Sequence, residues 1–207
     1  LAAQLLKINA ARAFARDGRV PTDIAGGALK AASEMLAASH ESYVRASVVN
    51  SAVNIYLALN ELTRARDLLA AEARTSSNPH YYLGDLADVE EKLGNSDSAL
   101  EHYAAAYAQA KGPASRFQWG FNYLSALVRL RPDDAAAIER VGTSVLAELT
   151  GPDSVHRRTR GRLDRLDAQL RQWNDAAPRA AVIAKLRRQF KSICGAACPD
   201  FLTTNAA

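Results

Sequence analysis

Long apolar runs, cysteines and aromatic residues are what this 207-residue chain has least of. No apolar run approaches the roughly 18 to 20 residues that a bilayer span needs, and the opening stretch interleaves Lys7, Arg12 and Asp17 with its apolar positions. A membrane span, an intact signal peptide and a membrane partner are therefore not expected. Two cysteines are too few to staple a small secreted scaffold, and aromatics at 7% leave little to build strands from. Chemistry is equally sparse. There is no Gly-x-Ser-x-Gly elbow and no glycine-rich phosphate loop, and His40, His80, His102 and His156 share no helix-face spacing with a carboxylate that suggests a base or a zinc site. The chain is not expected to be an enzyme, and no cofactor or metal is expected.

What is present is alanine, at 42 positions, within a composition that is 48% hydrophobic and 23% charged. Alanine has the best helix propensity, so an all-α globular chain is predicted. The seven prolines stand at positions 21, 79, 113, 132, 152, 178 and 199, and proline is costly inside a helix but cheap at its edge. The segments between them predict ten helices, at about 2–17, 22–39, 41–58, 61–76, 80–93, 96–111, 114–131, 134–149, 155–174 and 179–194. Capping residues mark several starts: Thr22 and Asp23, Ser96, Asp133 and Asp134, Asp153 and Ser154. The pair Gly26-Gly27 reads as a packing or hinge point.

The net charge of +4 is unevenly spread. Residues 157–191 carry 11 Lys/Arg against Asp164, Asp167 and Asp175, a local net of +8, which leaves −4 elsewhere. A basic stretch of this kind suits nucleic acid, acidic protein and anionic lipid alike. Leu163, Leu166 and Leu170 recur within it at helical spacing, and it has no stacking aromatic before Trp173, so a solvated or domain-docking face is favoured over nucleic acid.

Self-comparison shows a period of 34 residues: Asn60 matches Gly94, Ala65 matches Ala99, Leu69 matches Tyr103 and Pro79 matches Pro113. That period, with the order Leu83, Leu86, Ala87, Gly94, Ala99, Tyr103, Ala106, resembles the tetratricopeptide repeat. The resemblance implies a superhelical array of antiparallel helix hairpins, clearest over 46–149, with N-terminal helices at 1–45 and basic C-terminal helices and tail at 150–207, all in one helical domain. In such arrays the first helix of each hairpin lines a concave groove. By phase, the groove positions are Asn50 and Asn54, then Gly84 and Asp88, then Gln118 and Asn122, with Tyr81, Trp119 and Tyr123 as flat apolar contacts. Amides at these positions suit an extended peptide backbone. The basic carboxylate clamp of some such repeats lacks its lysine, because Asn50 stands there.

A second likeness rests on Asn78-Pro79-His80-Tyr81-Tyr82, then Gly112-Pro113-Ala114, Gln118-Trp119-Gly120, Trp173-Asn174 and Cys194. These segments resemble the helical region that follows the thioredoxin-like domain in a group of exported bacterial thioredoxin-family proteins. The resemblance implies a periplasmic setting and a redox domain on the same polypeptide. No Cys-x-x-Cys lies within these residues, so any such dithiol would precede Leu1, and the chain is expected to be an excised part of a longer protein. Cys194 and Cys198, four residues apart, admit a local disulfide, inert thiols or a redox pair, while a metal site would need ligands the neighbouring sequence does not offer.

The expected function is a non-catalytic protein-binding or scaffolding module accompanying a thioredoxin-fold domain. The alternatives are a stand-alone adaptor for an extended peptide, periplasmic or cytoplasmic, and a helical RNA-binding protein using the basic end.

Overall fold

The computed structural model describes residues 1–15, 17–195 and 200–202. Among these it contains ten α-helices and no strand: α1 (Ala2–Phe14), α2 (Thr22–Ala38), α3 (Ser42–Ala58), α4 (Leu62–Thr75), α5 (Pro79–Lys92), α6 (Ser96–Gln109), α7 (Pro113–Leu130), α8 (Ala135–Leu146), α9 (Arg157–Ala176) and α10 (Ala180–Cys194). Each lies within three residues of the bounds that the proline and cap pattern predicts. None of the described helices is long and apolar enough to cross a membrane.

The caps are more varied than their residue types suggest. Asp134 does cap α8, accepting a bond from Ala137 N at 2.9 Å. Thr22 instead lies inside α2, after Pro21. Asp153 and Ser154 belong to a 3-10 turn, Pro152–Ser154, and α9 starts only after His156.

Contacts divide the chain after Asn95 into two compact units, Leu1–Asn95 and Ser96–Ala207. That boundary falls within the 46–149 stretch that the repeat pattern treats as one run of hairpins.

In the first unit, consecutive helices pack pairwise and α4 against α5 is the most extensive pair. Their common core joins Ile8 of α1, Ala28 and Ala32 of α2, Val49, Ala52 and Ile55 of α3, Ala65 and Leu69 of α4, and Leu86 and Val89 of α5. Alanine is the facing residue at Ala28, Ala32, Ala52 and Ala65, each with no solvent exposure, which lets helices approach closely. The α3–α4 turn is closed by bonds from Asn60 N to Leu57 O and from Glu61 N to Tyr56 O. The matching bonds 34 residues later run from Gly94 N to Glu91 O and from Asn95 N to Glu90 O. Both are Schellman caps, and both place the matched residue in the left-handed region, Asn60 at φ 59° and Gly94 at φ 82°. The sequence period is thus a period in turn chemistry.

The second unit stacks two hairpins. Besides α6–α7 and α7–α8, α9 packs on α7 and α10 packs on α8. Gln169 Nε2 donates to Ser125 O at 2.8 Å, and Gln189 Nε2 donates to Thr143 O at 2.7 Å. Lys185 pairs with Glu139 at the same 46-residue offset as Gln189 with Thr143, so α8 and α10 run parallel. One end of the stack is clamped by Trp173, whose indole donates to Pro132 O at 2.7 Å, and by Asn174, whose side chain accepts from Arg179 N at 2.8 Å. Trp119, expected at a groove surface, is 6% exposed and belongs to the core.

Gly26 and Gly27 correct the packing expectation: both sit on an exposed face of α2, and a Cβ on either meets nothing within 4 Å. Gly120 of α7 is the opposite case, where a Cβ would lie 2.6 Å from Val145 Cγ2 and 3.0 Å from the Tyr107 ring. Gly27→Ala should raise unfolding free energy by about 1 kcal/mol through helix propensity alone. Gly120→Ala should lower it by about 1–3 kcal/mol, because overpacking outweighs that gain. Urea midpoints at unchanged slope measure both. Equal effects at the two sites would contradict the packing described.

Candidate functional site

The first unit carries an open groove of about 1000 Å³ between α3, the C-terminal end of α4 and the first turns of α5. Its frame is an ion pair. The Arg45 guanidinium donates from Nε at 3.0 Å and Nη2 at 2.5 Å to Glu72 Oε1, while Nη1 donates to Leu36 O at 2.6 Å and Ser39 O at 3.3 Å. One side chain of α3 therefore ties α4 to the C-terminal end of α2, where cations are favoured. The bond to Glu72 raises the Arg45 pKa above its ordinary value against the opposing effect of burial. Glu72 is mostly buried, so removing either partner would leave the other's charge poorly compensated.

Pro79 at the first position of α5 sets the phase of the facing wall. Tyr81, Tyr82 and Asp85 then line the groove within one turn of one another. Before them, Asn78 N is held by Ser76 Oγ at 3.0 Å. Tyr43 of α3 and Tyr81 of α5 are 88% and 56% exposed, so two large rings stand open at the groove. Burial, aided by the charge of Glu72, raises the Tyr82 pKa.

Asp85 is the unusual charge here. Desolvation first, and the neighbouring Asp88 second, push its carboxyl up from 3.8 to about 6. The residue is exposed by surface area, yet its carboxyl sits deep enough among protein atoms to lose hydration.

Of the residues the sequence points to, Asn50 and Tyr81 line this groove. Asn54, one turn further along α3, is exposed outside it, and Asp88 acts on Asp85 from the next turn of α5. Gln118 and Asn122 are half-buried on α7 in the second unit and line no cavity described here. Cys198 and the side chain of Cys194 lie outside the described residues. Sequence reasoning missed Arg45, Glu72, Tyr43 and Asp85. Only Asp85 had a visible signal, standing four residues after Tyr81 and three before Asp88 on the same helix.

The second unit has its own polar cluster and its own charged face. Glu148 Oε1 accepts from Arg116 Nε at 2.8 Å and from the Tyr107 hydroxyl at 3.0 Å, and the guanidinium lies 4.8 Å over the Tyr107 ring. Burial and Glu148 raise the Tyr107 pKa to about 12. On α9, Arg157, Arg158, Arg162 and Arg165 surround a shallow depression and form no ion pair among the described residues. Burial and the charges of Arg165 and Arg158 lower the Arg162 pKa.

No protein-family model matches the chain, and no curated protein or solved structure is significantly similar to it.

Two outcomes follow for the groove. Glu72→Gln should cost about 2–4 kcal/mol of unfolding free energy, since it leaves Arg45 without its charge partner, whereas the pair Arg45→Met/Glu72→Met should cost less than the two single changes added. A purely additive double-mutant cycle would deny the coupling. For Asp85 the folded pKa is raised, so its contribution to stability is full below about pH 3.8 and is lost as pH rises through about 6. Asp85→Asn should therefore be more stable than the parent at pH 7.5 and equal to it below about pH 4, by urea titration across that range.

Proposed function

We propose that this chain is a non-catalytic protein-binding module whose first unit holds an extended segment of a partner in the groove between α3, α4 and α5. The observation that carries this reading is the groove itself: about 1000 Å³, open, with Tyr43, Tyr81 and Asn50 on its walls. Small-molecule clefts run to about 300–1000 Å³ and bury most of their ligand, so an open trough at the upper limit suits a chain segment better than an enclosed metabolite. An asparagine amide can both donate to and accept from a peptide backbone, and tyrosine supplies flat contact area at little entropic cost.

The module's companion, in this reading, is a thioredoxin-fold domain on the same polypeptide in the periplasm. The support is the Pro-Tyr-Tyr, Gly-Pro-Ala, Gln-Trp-Gly and Trp-Asn segments, which resemble the helical region of that exported family. Arg157, Arg158, Arg162 and Arg165 around the α9 depression give the second unit a face suited to docking an acidic surface of such a neighbour. A free-standing adaptor uses the same groove without that context, and an upstream Cys-x-x-Cys domain in the full reading frame separates the two.

The groove reading is tested with peptides selected for binding from a random heptapeptide library and measured by fluorescence anisotropy. Asn50→Ala and Tyr81→Ala should each weaken affinity about 5–10-fold, or about 1–1.4 kcal/mol, while Gln118→Ala changes nothing. Affinity should fall no more than a few-fold between about 50 and 500 mM salt, against the loss of several orders of magnitude that counterion release gives nucleic-acid binding. Binding indifferent to Asn50 and Tyr81, or nucleic-acid binding that collapses over that salt range, would overturn it.

A further inference from the structure

We infer that the groove of the first unit selects a partner segment carrying a basic side chain, lysine or arginine, whose cationic head is held by Asp85 beside the rings of Tyr81 and Tyr82. This rests on the peptide-groove reading and adds to it the chemistry of the residue recognised.

The first support is charge complementarity. Asp85 lines the groove and forms no hydrogen bond or ion pair among the described residues. Among the described residues lining the groove, Arg45 is the one lysine or arginine, and it is already committed: Nε and Nη2 go to Glu72, and Nη1 goes to the carbonyls of Leu36 and Ser39. The charged and titratable groups of the groove wall then sum in favour of an incoming cation. From α5 come Tyr81, Tyr82 and Asp88; from α4 comes Glu72, balanced by Arg45 of α3; His40 and Tyr43 stand on the rim before and at the start of α3.

The second support is ring geometry. Tyr81 and Tyr82 precede Asp85 by four and three residues on the same helix and line the same groove, the Tyr81 ring lying 4.4 Å from that of His80, and Tyr82 feels the charge of Asp85. Aromatic faces attract ammonium and guanidinium groups most strongly where water is partly excluded. Tyr82, half-buried on the same wall, supplies that partial shielding. A cation arriving there gains from the charged form and restores it, so binding and ionisation of Asp85 are linked. Affinity for a basic segment should rise as pH rises through about 6.

The experiment uses the full chain and the heptapeptide library, panned at pH 7.5, with selected peptides then measured at pH 5 and pH 7.5. With a carboxyl at about 6, ionisation grows about tenfold over that interval, and affinity should grow by a similar factor. Expected results are enrichment of lysine or arginine, loss of affinity when that residue is changed to glutamine, and loss of the pH response in Asp85→Asn but not in His40→Gln. Peptides that need Asn50 and Tyr81 yet carry no basic residue, or bind Asp85→Asn as well as the parent, overturn this inference and leave the groove reading standing. Peptides indifferent to Asn50, Tyr81 and Asp85 together, or no retained peptide, overturn both.

Discussion

A pair of helices about four turns long exposes more apolar side chain than the pair can cover, and the rest of this molecule follows from where each hairpin finds its cover. In the first unit the cover is reached by small residues: Ala28, Ala32, Ala52 and Ala65 are wholly buried, and the larger Ile8, Ile55 and Leu69 fill the gaps between them. In the second unit glycine plays the same part. Gly120 admits Val145 and Tyr107, and Gly142 admits Leu186, whose Cδ2 would lie 3.0 Å from a Cβ placed there. Where backbones come this close, polar side chains that cross between helices can reach main-chain carbonyls. Gln169 and Gln189 do so in the second unit, and Arg45 does so in the first.

The helices were legible because their ends are marked locally. Pro79 and Pro113 start α5 and α7, Asn60 and Gly94 end α3 and α5 with the same left-handed cap, and each signal lies within a few residues of what it controls. Long-range pairing has no such mark. Arg45 and Glu72 are 27 residues apart, Arg116 and Glu148 are 32 apart, and the sequence holds many other arginines and carboxylates at comparable distances. The groove positions suffered from the same limit. Asn50 and Asn54 share one helix face, but the groove closes against α4 and α5 near the N-terminal half of α3, so the helical phase is right for both and the depth is right for one. The partition after Asn95 is likewise a matter of contact density, which a 34-residue period does not encode.

The motifs that resemble the exported thioredoxin-family region have structural duties in this fold. Pro79 and Pro113 fix helix starts, Gly120 admits its neighbours, Trp173 bonds the α7–α8 turn, and Asn174 closes the turn into α10. A likeness carried by such residues speaks first to architecture. Function has to be argued from the residues between them, and those are the ones whose chemistry is left unspent by the fold.

Arg45 and Asp85 show how that remainder arises. A guanidinium has five N–H donors, and four of the bonds available to Arg45 are used in joining α2, α3 and α4. Turning it toward Asp85 would release Glu72, a mostly buried carboxylate, and two carbonyls at the end of α2, and a buried charge without its partner costs more than an exposed one. The fold therefore keeps this guanidinium on Glu72, while Asp85 on the groove wall has no ion pair among the described residues. Arg45 and Glu72 neutralise each other in the bond that joins these helices, so the carboxylate left over on the groove wall is Asp85.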